Sequence, residues 1–231
     1  THGKLELDRL SFENWPVGKS LSREDIVVIL GDFWLGPGGS KSDDYWLDWL
    51  EKKPWTTLVV DGNHEQFPIL TSLPQIHAFG NIVGVFRPHI FHLKRGLIYN
   101  ICGYKCLAIG GADSIDVAYR IPGIDWWPEE SITSEDISRA EQSLKEYGYC
   151  VDYVFSHTGP TSIVKRTLHA AFNIDPNEPL AFDTSSRQLD LLVKKVKFKR
   201  WFMGHLHTDN MFFDVNFYVL WKSILKADFI L

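Results

Sequence analysis

The chain has 231 residues, 45% of them hydrophobic, enough to bury one large core, so a single domain over residues 1–231 is expected rather than two. Its formal charge of -5 counts against a nucleic-acid partner, whose backbone demands a basic footprint, while leaving room for a phosphate substrate neutralised by bound metal. Cys102, Cys106 and Cys150 are an odd set without metal-finger spacing, and no apolar run approaches the ~20 residues of a membrane helix, so a cytoplasmic protein with reduced thiols and no membrane partner is expected.

The chain opens at Thr1-His2-Gly3 with no strand ahead of it, whereas every other candidate ligand follows a strand. A first strand is therefore expected before Thr1. Residues 5–10 have helix-like spacing, and Trp15-Pro16 with Gly18 marks a loop. The apolar run Ile26-Val27-Val28-Ile29-Leu30 reads as a strand ending in Gly31-Asp32. A glycine-rich loop, Gly36-Pro37-Gly38-Gly39-Ser40, leads to a helix over 43–52, with Asp43 as N-cap and Trp46, Leu47, Trp49 and Leu50 inward. Thr57-Leu58-Val59-Val60 is a second strand, ending in Asp61-Gly62-Asn63-His64-Glu65.

Residues 66–80 read as loop and short helix. Strands follow at 90–93, 97–101 and 105–109, with turns at Arg95-Gly96 and Gly103 that favour antiparallel pairing. Residues 112–132 are too aromatic for a linker and too broken for a helix, which makes them a lid candidate beside a site. A helix is expected over 133–147 with Ser134 as N-cap and Gly148 as its stop. Val151-Asp152-Tyr153-Val154-Phe155 is a strand ending in Ser156-His157. Residues 158–183 read as a long loop with one short helix at 162–168, before a helix at 185–196. Trp201-Phe202-Met203 is a strand breaking into Gly204-His205-Leu206-His207, and strands at 210–213 and 217–220 close a hairpin. An extended His-x-His pair would aim its rings to opposite faces, so a turn at Gly204 is required if both converge.

Four strands thus end in polar residues able to bind metal. In an α/β sheet, ligands gather at the carboxyl ends of strands. Asp32, Asn63, His157, His205 and His207 would meet on one rim, a set of hard oxygen and imidazole donors suited to manganese, iron or zinc. A serine-hydrolase reading of Ser156-His157 fails, because neighbours on a strand point apart and no Gly-x-Ser-x-Gly occurs.

Taken in order, His2-Gly3, Gly31-Asp32, Gly62-Asn63-His64-Glu65, His157 and Gly204-His205-Leu206-His207 span nearly the whole chain. The set resembles the calcineurin-like metallophosphoesterase superfamily, in its small bacterial or phage-type members. The resemblance implies a four-layer α/β/β/α sandwich and two divalent metal ions. His2, Asp32 and His207 would hold one, with an aspartate two residues before His2; Asp32, Asn63, His157 and His205 would hold the other. Asp32 would bridge the ions and act with His64 in catalysis, a metal-bridging hydroxide attacking a phosphomonoester or phosphodiester while non-ligating His64 gives the leaving group a proton. Leu35 stands where the family carries a second aspartate, and no Arg-Gly follows it, which argues against the Ser/Thr protein phosphatase branch. A small phosphate ester is the expected partner. The alternatives are a non-catalytic scaffold of the same fold, against which the complete donor set counts, and a nuclease, against which the acidic balance counts.

Overall fold

Among residues 2–180 and 184–228, which the computed structural model describes, eleven strands and five α-helices form. The first sheet contains β1 (Ile26–Leu30), β2 (Thr56–Val60), β3 (Gln75–Ala78), β4 (Asn81–Arg87) and β5 (Ile90–Leu93), in the order β1-β2-β5-β4-β3. The second contains β6 (Leu97–Ile101), β7 (Tyr104–Ile109), β8 (Tyr153–Ser156), β9 (Arg200–Met203), β10 (Asn210–Phe212) and β11 (Phe217–Val219), in the order β10-β11-β9-β8-β7-β6. Helices α1 (Lys41–Glu51) and α2 (Phe67–Ser72) belong to the first half of the chain; α3 (Ser134–Glu146), α4 (Thr161–Phe172) and α5 (Thr184–Val193) belong to the second.

Period-two alternation sorts the strand side chains into three cores. Leu58 and Val60 of β2, Cys106 and Ala108 of β7, Tyr153 and Phe155 of β8, and Phe202 of β9 meet between the sheets. Val59 faces the other way, into a core with Leu47 and Leu50 of α1. Leu107, Ile109, Val154, Trp201 and Met203 face a third core with Ile137 and Leu144 of α3, Val164 of α4 and Leu189 of α5. Three cores between four layers give the α/β/β/α sandwich.

The pairing expected for residues 90–109 holds in part. β6 and β7 are antiparallel, but β5 runs parallel to β2 in the other sheet, so the chain changes sheets across Lys94-Arg95-Gly96. β5 is buried at all four positions, which a parallel central strand requires and an alternating edge hairpin would not give. β3 was not read from sequence; it is an exposed edge with almost no apolar alternation. Ser40, not Asp43, caps α1 by accepting the Asp43 N–H at 3.1 Å, and Thr133, not Ser134, caps α3. Residues 5–10 wind into short 3-10 turns rather than an α-helix. α4 is longer than the segment expected at 162–168 and ends at a left-handed Asn173; residues 181–183 of the expected loop lie outside the described residues.

Candidate metal centre

Five of the six candidate ligands stand just past a strand's carboxyl end: Asp32 after β1, Asn63 after β2, His157 after β8, and His205 and His207 after β9. His2 enters from the chain's first turns, which the Gly3 N–H ties to the Asp32 carbonyl at 3.2 Å. The backbone is bent hard to converge these groups. Asp32, Trp34, His205 and His207 all take left-handed φ, between 49° and 66°, a conformation costly for non-glycine residues and concentrated at functional sites. The turn expected at Gly204 is therefore carried by the two histidines themselves. Gly204 is needed for another reason: a Cβ there would sit 2.9 Å from the Leu30 carbonyl oxygen. Gly31 and Gly62 make room for the site too, since Cβ atoms on them would strike His157 Nδ1 at 2.1 Å and Asp32 Oδ1 at 2.4 Å.

Asp32 is 2% exposed. Its Oδ1 lies 3.2 Å from His157 Nε2 and its Oδ2 3.7 Å from His2 Nε2, so the two carboxylate oxygens face different histidines. His2 Nε2 and His207 Nε2 approach to 2.8 Å. The ligand atoms of His2, Asp32 and His207 all lie within 4.8 Å of one another. On the other side, His157 Nε2 is 3.1 Å from Asn63 Oδ1, and the His205 ring lies edge-on to the His157 ring at 5.0 Å.

These positions fit divalent cations. His157 Nδ1–H donates to the Leu30 carbonyl at 2.6 Å, which leaves Nε2 as a lone pair. In the neutral ring that lone pair faces the oxygens of Asp32 and Asn63, 3.2 and 3.1 Å away. His157 Nε2 thus stands from each oxygen at the spacing of neighbours around an ion with bonds of about 2.1 Å. In the metal-free chain the same crowding appears as electrostatics. Burial alone would lower His157 and raise Asp32, but their mutual attraction reverses both, raising the imidazole and holding the carboxyl well below its usual range. Burial pushes His205 down to about 3 and His64 down to about 4, so both are neutral ligands or donors at neutral pH.

Behind the ligands, Glu65 joins two loops. Its carboxylate accepts the N–H groups of Phe33 and Gly62 at 2.9 Å and of Trp34 at 2.8 Å. Burial nonetheless lifts its pKa to about 7, those backbone donors opposing it. Sequence reasoning gave Glu65 no role, and it missed Ser114 and Glu130 altogether. Asn63 Nδ2 donates to Ser114 Oγ at 3.0 Å, and Ser114 Oγ–H donates to Glu130 Oε2 at 2.5 Å. The relay turns the Asn63 amide so that its oxygen faces His157. Trp221 stacks on His207 at 5.8 Å and donates its indole N–H to Glu6.

Residues 112–132 touch this rim through Ser114 and Arg120. Two short 3-10 turns, Val117–Tyr119 and Pro128–Glu130, break the segment. Asp113 bonds Ser131 and Ser185, whereas Asp116 and Arg120 form an ion pair. Arg120 also reaches His64: its Nη2 lies 3.1 Å from the ring's Nδ1. His92 is a core histidine against Asp61, and His89 pairs with Glu51. Among the described residues, no helix is long and apolar enough to cross a membrane.

Two comparisons with known proteins bear on this centre. The lariat debranching enzyme of Schizosaccharomyces pombe is 28% identical over 208 residues, covering 80% of this chain and 43% of that protein. The chain thus spans less than half the length of this curated relative. The profile of the calcineurin-like phosphoesterase family matches residues 7–209, a span that contains strands β1 to β9 and all the candidate ligands except His2. The four layers and this match together make the chain a member of the calcineurin-like phosphoesterase family.

Proposed function

We propose that the protein is a dinuclear metal-dependent phosphoesterase. The observation that carries this is Asp32, whose two oxygens face His157 on one side and His2 on the other. His2, Asp32 and His207 would hold one divalent ion, and Asp32, Asn63, His157 and His205 the second; manganese, iron and zinc all suit such a donor set. When bound, such a pair supplies Lewis acidity toward phosphoryl oxygens and lowers the pKa of water. The chain's own groups do the rest. Asp32, held ionised, keeps negative charge between the two ligand sets, while Ser114 and Glu130 fix the Asn63 amide. His64 stands outside the ligand sets, where it hydrogen-bonds the leaving-group oxygen; its low pKa makes it a neutral donor rather than a store of ready protons.

The likeness to a lariat debranching enzyme favours a diester over a monoester and lends support to a nuclease as the second reading. The charge of -5 opposes it, as does the place of the basic run Lys194, Lys195, Lys197, Lys199 and Arg200, which leads into β9 at the end opposite His205. A small phosphate ester in the cytoplasm is the reading we hold, in keeping with three free cysteines.

Hydrolysis of nitrophenyl phosphate and bis-nitrophenyl phosphate, with manganese added or chelated, tests the proposal. Manganese-dependent turnover is expected, with the diester preferred. His64→Ala should keep its metal and lose roughly 100-fold or more in kcat. A metal-loaded protein that turns over neither ester would favour a non-catalytic scaffold.

A further inference from the structure

Leu35 cannot orient His64. It is 4% exposed and packed in the apolar core with Phe33 and Phe67. The group that does reach the His64 ring comes from a segment 56 residues further along, through Arg120 Nη2 at 3.1 Å from Nδ1.

The guanidinium is itself held on three sides. Asp116 grips it twice, at 2.7 Å on Nε and 2.9 Å on Nη2, and Nη1 donates to the Asp125 carbonyl at 2.9 Å. Asp125 in turn accepts the Ile121 N–H at 2.5 Å, and Gly123 N–H bonds the Trp126 carbonyl at 2.8 Å, so residues 120–126 curl around the cation. A bidentate carboxylate fixes the plane of a guanidinium as well as its place. The segment is pinned at both ends. Ser114 is bonded to Asn63, and Arg95 holds the carbonyls of Glu129 and Ser131 at 2.8 and 2.9 Å.

We infer that Arg120, locked by Asp116, is the positioning residue for His64, fixing both the ring's orientation and which nitrogen carries its proton. A guanidinium has donors and no acceptor. His64 Nδ1 must therefore accept, and the neutral ring's proton sits on Nε2, on the side away from Arg120. A carboxylate in the same place would impose the opposite tautomer, with Nδ1–H donating outward and Nε2 bare. The ring lies 5.3 Å from that of His2, so the Nε2–H donor is presented beside the ligand cluster without joining it. His64 is then a hydrogen-bond donor of fixed direction, in a site where a freely rotating or tautomerising imidazole would spend part of its time facing wrongly.

The inference rests on His64 serving the reaction as proposed above, so its test has one readout independent of activity. Nitrogen-15 NMR of histidine-labelled, metal-free protein, with His64→Gln to assign the signals, should show Nδ1 of His64 unprotonated and Nε2 protonated. In Arg120→Ala the ring should become a mixture of tautomers. With bis-nitrophenyl phosphate and manganese, Arg120→Ala should lose roughly 10- to 100-fold in kcat, the range for a bond that orients a functional imidazole, with KM changed less than about threefold. Added guanidinium should restore part of the loss, and Asp116→Asn should show a milder form of both effects. Should Arg120→Ala fail to fold, Asp116→Asn and Arg120→Lys carry the same comparison. An unchanged tautomer in folded variants overturns the inference whatever happens to kcat, as does an unchanged kcat in an active protein. A tautomer that shifts in a protein inactive on every ester leaves the orienting role standing and sinks the phosphoesterase reading instead.

Discussion

Glu130 is 1% exposed, Ser114 bonds one of its oxygens, and the other has no partner among the described groups. Burial, outweighing that bond, raises its pKa from 4.5 to about 7. Between those values the folded chain keeps a proton that the unfolded chain has lost, so stability contributed by the neutral form is complete below about pH 4.5 and gone above about pH 7. Stability of the metal-free protein should therefore fall over that window by more in the wild type than in Glu130→Gln, which cannot ionise. Urea unfolding at several pH values measures this, and equal slopes would refute it. The candidate ligands other than His2 could be proposed from sequence because each sits in a short string at a strand end. Glu65, Ser114, Glu130 and Arg120 were not, since each acts through a partner that only folding brings near: Ser114 stands 51 residues from Asn63, and Arg120 stands 56 from His64.

At the scale of elements, most strands were readable because β-branched runs ended at glycine or polar residues, and α3 and α5 because their apolar spacing was plain, whereas α4 was read only as a short helix in a loop. Edges and ends were harder. Thr133 and Ser134 are both good N-caps by type, and the difference lies two residues on. Asp136 returns its carboxylate to the Thr133 N–H at 3.0 Å while Thr133 Oγ1 accepts the Asp136 N–H at 3.2 Å, a reciprocal capping box that Ser134 cannot make with Ile137. Thr133→Ala should cost about 1 kcal/mol in stability and leave kcat unchanged, as read by urea midpoints and by diester turnover. A loss below a few tenths of a kcal/mol would mean the box adds little. The change of sheet between β5 and β6 was invisible for a different reason: a three-residue link between two apolar strands looks the same whether it closes a hairpin or bridges two layers.

Across the whole molecule, the two sheets converge on one rim because a buried charge network ties them together. Asp61, at the end of β2, pairs with Arg95 at 2.6 Å and with His92 at 3.1 Å, and Arg95 extends from the link between the sheets to the segment touching the site. A buried pair of this kind contributes orientation more than net stability, since desolvation offsets much of the attraction. Here it sets the height of residues 129–131, and through Glu130 and Ser114 the direction of Asn63. The four layers could be expected from the strand and helix count together with the family resemblance; this tie between them could not. The account stands most directly on the anomalous-difference map of crystals grown with manganese. It predicts two peaks flanking Asp32, one among His2, Asp32 and His207, the other among Asp32, Asn63, His157 and His205. A single peak, or peaks away from Asp32, would contradict it.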